Sequence, residues 1–233
     1  MRNLRGTYVH RGDAARRRRR IKSSFIAAGS VAVTMIVLAS RKTSLASAEP
    51  ALTGSEPFFT IGNVRALRRA LESTRGELSL VRAQYERADK VIQYSNRFGI
   101  TAGMASNVFD ASIREGIDPE LGFRLVRLES DFNERAVSKV GAVGLAQVMP
   151  STAVVLDRHV TRDQLFIPST NLRLGFGYLR SLIRLYRGNV HLALLAYNRG
   201  EDAVTRDLNA GVDPGNGYDH WVMRDYKGKG TID

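Results

Sequence analysis

A glutamate at the edge of a predicted helix has the features of a general acid. In DPELGFRLVRLESDF, Asp118 is a favourable N-cap residue and Pro119 occupies the first helical position, where proline is tolerated. Glu129 follows Leu125 by four residues and Val126 by three, so it borders the apolar side of this helix in its last turn. Burial and the helix dipole both disfavour a carboxylate there, so we expect a raised pKa, as a general acid requires. The alternative is a structural glutamate that faces solvent.

Two later segments place polar groups beside small residues. Gly141 and Gly144 lie in a predicted loop whose backbone can approach a ligand closely, and Gln147 is the first strongly polar residue of the helix expected after it. In LLAYNRG, Tyr197 and Asn198 fall in the last turn of a helix that ends at a glycine. These residues are candidates for binding a ligand.

Composition excludes several other chemistries. The chain has 233 residues, no cysteine and four scattered histidines without an HExxH motif. Disulfide scaffolds, thiolate metal sites and cysteine nucleophiles are therefore excluded, and a histidine-based metal site is not expected. We expect no metal and no cofactor, and a chemistry that comes from carboxylates, hydroxyls and amides.

Four blocks follow one another with characteristic spacing: ESDFN from Glu129, GAVGLAQVMPSTA at 141–153, NLRLGFGYL at 171–179 and ALLAYNRG at 193–200. Together, over roughly residues 107–210, they resemble the soluble lytic transglycosylase (SLT) domain of the lysozyme-like superfamily. This resemblance implies a mainly α, lysozyme-like domain.

The resemblance also implies an enzyme, a carbon–oxygen lyase that cleaves the β-1,4 bond between N-acetylmuramic acid and N-acetylglucosamine in bacterial peptidoglycan. Glu129 matches the family's catalytic acid and base. It would protonate the leaving oxygen and then, as a carboxylate, take the proton of the muramoyl C6 hydroxyl, which gives a 1,6-anhydromuramoyl end. This mechanism needs no second carboxylate, and Asp131 and Glu134 are poorly placed to supply one.

Five further residues match family positions that contact the glycan strand. Ser130 is expected to hydrogen-bond the sugar's acetamido group and Gln147 to contact sugar in the cleft. Tyr197 and Asn198 are expected at the cleft wall, with Tyr197 within reach of the catalytic carboxylate. Tyr178 is expected to support that carboxylate or its loop. For each, the alternative is a buried polar residue with a structural role.

Three residues depart from the family pattern. Ala146 replaces a methionine, so one side chain that lines the cleft is expected to be missing. Glu134 stands where proline is common, which loosens the loop. Arg199 replaces a small residue and adds charge near the cleft, although a surface salt bridge is the favoured interpretation. Two other functions stay open: a hydrolase related to goose-type lysozyme, and a non-catalytic protein that binds or assembles peptidoglycan.

The positive charge lies almost entirely in a leader. The chain has 35 Lys+Arg against 23 Asp+Glu, a net charge of +12, of which residues 1–42 carry +10 and residues 49–233 only +2. A nucleic-acid-binding domain would carry its charge in the folded part, so nucleic acid is not an expected partner. The sequence identifies no protein partner.

An uncharged apolar run at about 23–40 follows the arginines at 16–20. It is long enough to span a bilayer, and the preceding charge places the N-terminus in the cytoplasm if the leader is retained. We therefore expect an exported protein, periplasmic or at the extracytoplasmic face of the inner membrane. Cleavage after Ala48, in an A-x-A sequence, and retention as a membrane anchor both stay open, because Arg41 and Lys42 precede that site.

These features predict four regions: a leader (1–48), a linker (49–60), an amphipathic helical arm (61–95) and an SLT domain (96–233). Gly76 and the preceding Ser73 and Thr74 are expected to divide the arm into two helices. Within the domain, helices are predicted at 102–115, from 119 onward, and at 171–186, 189–198 and 201–209.

Overall fold

The structure, a computed structural model, describes residues 61–232 and is mainly helical there. Strand pairing in this range is limited to isolated bridges. The prediction of a mainly α protein is confirmed for this part of the chain. Its α-helices and one 3₁₀ helix (Asp163–Phe166) are, in chain order, α1 (Ile61–Phe98), α2 (Ala102–Glu115), α3 (Pro119–Ser130), α4 (Pro150–Leu156), α5 (Pro168–Leu185), α6 (Val190–Arg199), α7 (Glu201–Asn209) and α8 (Tyr218–Met223).

The arm is one helix, and the predicted break near Gly76 is wrong. Helix α1 runs for 38 residues without interruption. A single glycine costs a helix about 1 kcal/mol relative to alanine, and the arginines, glutamates, leucines and alanines around Gly76 are strong helix formers that outweigh it. The chain divides at Gly76 into two compact units, of which the second includes residues 77–232. The predicted boundary between arm and domain at residue 95 lies inside α1.

Helices α2 and α3 begin and end where capping residues predict. Thr101 accepts a hydrogen bond from the amide of Met104 at 3.1 Å, and Asp118 accepts one from the amide of Glu120 at 2.9 Å. Gly116 closes α2 in the left-handed region with φ 69°. Glycine is favoured there by this positive φ, and a side chain at Gly116 would have to displace the guanidinium of Arg180.

The main core is built from side chains of α1, α2, α3, α5, α6 and α8. Leu121 and Leu125 of the predicted apolar stripe are fully buried, as is the flanking Val126. A second, smaller core lies under the loop that joins α3 to α5, and Ala146, Leu165 and Leu174 belong to it. The two cores hold the end of α3 and this loop beside each other.

Later helices agree with the sequence except at certain ends. Asn189 caps α6, and α7 has the predicted bounds, whereas α5 begins at Pro168, three residues before the predicted start. The helix expected at Gln147 begins only at Pro150, as α4, and α8 was not predicted. No helix between residues 61 and 232 has the length and apolar character needed to cross a bilayer. The leader, with its apolar run at 23–40, and the linker at 49–60 lie outside the described residues.

Candidate active site

Glu129 lies partly buried in the last turn of α3, as the helical spacing predicts. Burial raises the pKa of Glu129 from its ordinary 4.5 to about 7, while a hydrogen bond from Tyr218 acts in the opposite direction. The predicted rise in pKa is therefore confirmed. A carboxyl group with this pKa exists in both protonation states near neutral pH, so it can both give and take a proton.

The partner of Glu129 is Tyr218, the first residue of α8. Its side chain is fully buried, and its hydroxyl donates to Oε1 of Glu129. Tyr218 could not be predicted from the sequence, because it lies far along the chain in a six-residue helix with no periodic signal. The start of α8 is held in turn by Asn216, whose side-chain oxygen accepts from the amide of Tyr218 at 3.1 Å.

Asn198 connects to Glu129 through these residues. Its side-chain oxygen accepts a hydrogen bond from Nδ2 of Asn216 at 2.9 Å, and Asn216 caps the turn that presents Tyr218. The structure thus places Asn198 at the end of α6, in contact with the segment that leads to α8. Its amide group orients the partner of the acid and does not touch the acid itself.

Ser130 joins α3 to the glycine-containing loop. Its hydroxyl lies 2.7 Å from the carbonyl oxygen of Leu145 and 3.1 Å from that of Val126 in its own helix. Both neighbours are acceptors, so the hydroxyl hydrogen is directed to the protein backbone and only its lone pairs are available to a ligand.

The chain leaves α3 through two non-glycine residues in the left-handed region, Asp131 with φ 50° and Phe132 with φ 60°. Such residues cost free energy and persist where their surroundings hold them. Phe132 is buried and packs edge-on against Phe98, with ring centroids 5.6 Å apart, and Phe98 stacks on Phe123. This aromatic cluster therefore fixes the turn directly after Glu129 and Ser130.

Asn171 fixes the loop between α3 and α4 through hydrogen bonds of its side chain to the loop backbone. This side chain is fully buried. Its oxygen accepts from the amide of Ala146 at 2.7 Å, and its nitrogen donates to the carbonyls of Val143 at 2.8 Å and Leu165 at 2.9 Å. Gly144 has φ +76°, and a side chain there would lie 2.4 Å from the Asn171 nitrogen. The glycine is thus needed for the loop to approach Asn171.

Gln147 lies in a turn of this loop, and its predicted position at the start of a helix is wrong. It has φ 48°, and the next helix begins at Pro150. Its side-chain nitrogen donates to the carbonyl oxygen of Gly144 at 2.9 Å. The same side chain lines a small pocket together with Met149, Tyr178 and Tyr197.

Tyr197 and Tyr178 form the opposite wall of that pocket. The Tyr197 hydroxyl donates to the carbonyl oxygen of Ala146 at 2.7 Å, and its ring centroid is 5.6 Å from that of Tyr178. Burial, and to a lesser degree the charge of Glu129, raise the pKa of Tyr197. Tyr197 is therefore near the acid, but the hydroxyl that contacts the acid belongs to Tyr218.

Comparisons with known proteins identify relatives of the region that contains this site. Residues 106–214 match the family model described as "Transglycosylase SLT domain". This region of the chain is therefore similar to the SLT domain. Two curated relatives match the domain region: the transglycosylase of Enterobacteria phage PRD1, 42% identical over 39% of this chain and 32% of its own length, and the membrane-bound lytic murein transglycosylase C of Edwardsiella ictaluri, 36% identical over 41% and 31%.

The chain spans about a third of the length of these curated relatives. Among solved structures, the 70 kDa soluble lytic transglycosylase of Escherichia coli is similar over 50% of this chain and 22% of that one, with 28% identity and a TM-score of 0.45. Tyr218 lies beyond the last residue of the SLT match, and Asn216 does as well.

The structure tests two of the departures from the family pattern. Ala146 is fully buried, and its Cβ lies 2.5 Å from the position that a Cβ on Gly175 would take. The expectation that this position lines the cleft is wrong, because its side chain points into the second core of the SLT domain. Arg199 forms a salt bridge with Asp207 at 2.6 Å, so the interpretation of Arg199 as a salt-bridge residue is confirmed.

A metal does not enter the description of this site. Between residues 61 and 232, no three side chains of His, Asp or Glu are grouped so that they could hold a metal ion. The site is built from one carboxyl group, tyrosine and serine hydroxyls, and amides.

Proposed function

We propose that this chain is a lytic transglycosylase that cleaves the β-1,4 bond between N-acetylmuramic acid and N-acetylglucosamine in peptidoglycan. The observation that carries the proposal is Glu129: a carboxyl group with a pKa of about 7, held by Tyr218, inside a matched SLT domain. Glu129 acts as both the acid and the base of the reaction.

In the first step, protonated Glu129 gives its hydrogen to the glycosidic oxygen. The bond from that oxygen to C1 of the muramoyl residue breaks, and positive charge develops at C1 and the ring oxygen. Tyr218 already donates to Oε1, so Oε2 is the oxygen that carries and delivers the proton. General acid catalysis of this kind contributes roughly 10²- to 10⁴-fold to a rate.

In the second step, the Glu129 carboxylate takes the proton of the muramoyl C6 hydroxyl. The C6 oxygen attacks C1 and closes a 1,6-anhydro ring, and Glu129 is protonated again for the next cycle. No water is consumed. A second carboxylate acting as nucleophile or base, which most glycosidases use, has no role in this sequence.

The pocket lined by Gln147, Tyr178 and Tyr197 supports sugar binding beside the acid. Ser130 directs its hydrogen to the backbone, so we expect its oxygen to accept the N–H of an acetamido group. Asn198 acts by holding Asn216 and, through it, the segment of Tyr218. Glycan strands are thus the proposed partner of this face.

The products distinguish this function from its alternatives. Peptidoglycan digested with the full chain is analysed by mass spectrometry. We expect fragments that end in 1,6-anhydromuramic acid. Fragments with reducing muramic acid ends, each heavier by one water, would instead identify a hydrolase of the goose-type lysozyme kind. Intact glycan that co-sediments with the protein would identify a non-catalytic binding protein.

We further propose that the protein is exported and acts at the extracytoplasmic face of the membrane, where peptidoglycan lies. The charge in residues 1–42 and the apolar run at 23–40 support this location. N-terminal sequencing of the protein from membrane and soluble fractions tests whether the leader is retained or cleaved after Ala48. A protein found entirely in the cytoplasm would contradict the proposal.

A further inference from the structure

Helix α1 carries a heptad repeat of exposed apolar residues. Starting from Val64, every seventh residue is apolar, and in a second series that starts three residues later at Leu67 all members except Thr74 are apolar. Along this line the large side chains are between 40% and 73% exposed. The a positions are Val64, Leu71, Leu78, Tyr85 and Ile92, and the d positions are Leu67, Thr74, Val81 and Ala88; together they are called the heptad seam.

The domain packs on a different side of α1. Arg87 contacts Asp110 at 2.7 Å, Val91 is buried in the main core, and Tyr94 stacks on Phe123. Arg87 and Tyr94 are c positions, and Val91 is a g position. The heptad seam lies on the neighbouring side of α1. Its large side chains therefore stay exposed along the whole line within residues 61–232.

A strict repeat of seven is a property of helices that wrap around a partner helix. A straight helix of 3.6 residues per turn drifts away from such a repeat, whereas a left-handed coiled coil keeps it facing the partner. The repeat in α1 extends over more than three heptads, the length at which this pattern indicates a coiled coil. Because α1 continues through Gly76 without a break, the apolar residues before and after this glycine can belong to one seam.

The charged residues beside the seam favour a parallel arrangement of identical helices. The e positions include Arg68, Arg75 and Arg82, which an antiparallel pair centred on this segment would bring together. In a parallel pair each e residue faces a g residue five positions earlier in the other chain, and Arg82 then faces Glu77. Arg82 already forms a salt bridge at 3.0 Å with Glu86, four residues later in the same helix, and its side chain stays largely exposed.

Residues that would disturb a seam lie outside it. Gly76 is an f position, on the side opposite the seam, and a side chain added there would meet nothing within 4 Å. Leu80, a c position, is 60% exposed but lies off the line. We propose that α1 forms a parallel two-stranded coiled coil with α1 of a second copy of this chain.

The absence of cysteine makes a direct test possible, because one introduced cysteine has no competitor in the chain. The full chain in membranes or detergent is oxidised with copper phenanthroline and separated on a non-reducing gel. We expect Leu71→Cys and Leu78→Cys, at a positions, to form a covalent species of twice the chain mass. Leu80→Cys and Gly76→Cys, at outer positions, should stay at the mass of one chain. Similar cross-linking at all four positions, or at none, would overturn the proposal.

Orientation is tested with Leu67→Cys, near the start of the seam. A parallel pair brings this residue beside its own copy and predicts a species of twice the chain mass. An antiparallel pair separates the two copies of residue 67 and predicts no cross-link, which would overturn the parallel assignment. Cross-linking to a product of another mass would show a different partner and would overturn the proposal of a second copy.

A matched pair of charge substitutions separates the seam from general surface effects. Leu78→Lys places a cation in the seam beside Arg75 and Arg82, whereas Leu80→Lys adds the same residue off the seam. In the Leu71→Cys background we expect Leu78→Lys to reduce the cross-linked fraction at least tenfold and Leu80→Lys to leave it unchanged. Equal effects of the two lysines would contradict the proposal. Clearing of peptidoglycan in gels reports separately whether the proposed function holds.

Discussion

Tyr218 donates its hydroxyl hydrogen to Glu129, although 89 positions separate the two residues in the chain. The contact brings α8 against the end of α3 and gives the partly buried carboxyl group a hydrogen-bond partner. Because the SLT match ends at residue 214, this contact adds a residue from outside the matched region to the proposed site.

Glu129→Gln should abolish peptidoglycan cleavage while preserving the fold. Glutamine has nearly the same shape and can still accept from Tyr218, but it can neither give nor take the proton. We expect a loss of at least about 10³-fold, in the range of general acid–base catalysis. Release of soluble fragments from purified peptidoglycan measures it, and exposed Glu134→Gln is the control. A variant that retains wild-type clearing would refute the role of Glu129.

The same substitution should stabilise the protein in alkaline solution. Glu129 titrates near 4.5 when unfolded and near 7 when folded, so it favours folding most below pH 4.5 and loses this contribution as the pH rises through 7. Glutamine stays neutral throughout. From the shift between 4.5 and about 7, Glu129→Gln should raise the free energy of unfolding at pH 8 by up to about 3 kcal/mol, and by almost nothing at pH 4.

Urea unfolding of both proteins at pH 4, 6 and 8 measures this difference. Glu134→Gln provides the comparison at an exposed carboxyl group in the loop after α3. If the Glu129→Gln and Glu134→Gln proteins show the same dependence on pH, the raised pKa of Glu129 is not a property of the folded protein.

Tyr218→Phe should move the pH dependence of activity to higher pH. The hydroxyl stabilises the carboxylate form, so its loss raises the pKa of Glu129 further and keeps the acid protonated in more alkaline solution. The rate should fall by about tenfold, because a hydrogen bond to a charged group is worth roughly 1.5 kcal/mol or more. Initial rates from pH 5 to 9 report both effects.

Tyr226→Phe is the matched control. Its hydroxyl donates to Asp118 at 2.7 Å, at the other end of α3, so its loss should reduce stability and leave the shape of the pH profile unchanged. A profile that moves equally in both variants would mean that the shift does not arise at Glu129.

Asn171→Leu should destabilise the loop beside the acid. Leucine has a similar branched shape but leaves the amide of Ala146 and the carbonyl of Leu165 without their partner, whereas the carbonyl of Val143 keeps the amide of Val148 at 3.0 Å. Leaving a buried polar group unsatisfied costs about 1–3 kcal/mol, so with two such groups we expect a loss of at least about 2 kcal/mol in unfolding free energy. Urea denaturation measures it, with the exposed Asn209→Leu as control. A change below about 1 kcal/mol would show that the loop finds other partners.

The sequence predicts well those features that depend on neighbours along the chain. The caps at Asp118 and Asn189, the end of α2 at Gly116 and the direction of the Glu129 pKa shift all follow from residues within a few positions. The turn at Gln147 could not be predicted this way, since its positive φ is maintained by contacts with the loop carbonyls.

Contacts between distant segments account for the rest. Tyr218 has no spacing relation to Glu129, so only the packing of α8 on α3 shows that they meet. The continuity of α1 has a local cause instead, because the helix formers around Gly76 outweigh the cost of one glycine. The sequence block that contains Ala146 predicts a position in the cleft for this residue. In the structure its side chain lies in the second core, next to Gly175.

The loop between α3 and α4 is held from three helices at once: by Ser130 of α3 at the carbonyl of Leu145, by Tyr197 of α6 at that of Ala146, and by Asn171 of α5. Such a loop cannot open alone, and its amide hydrogens should exchange with solvent only when these helices separate. The cost of ordering the cleft floor is therefore met during folding. The glycan strand proposed as substrate would then meet a site that is already preorganised, without waiting for a lid to close.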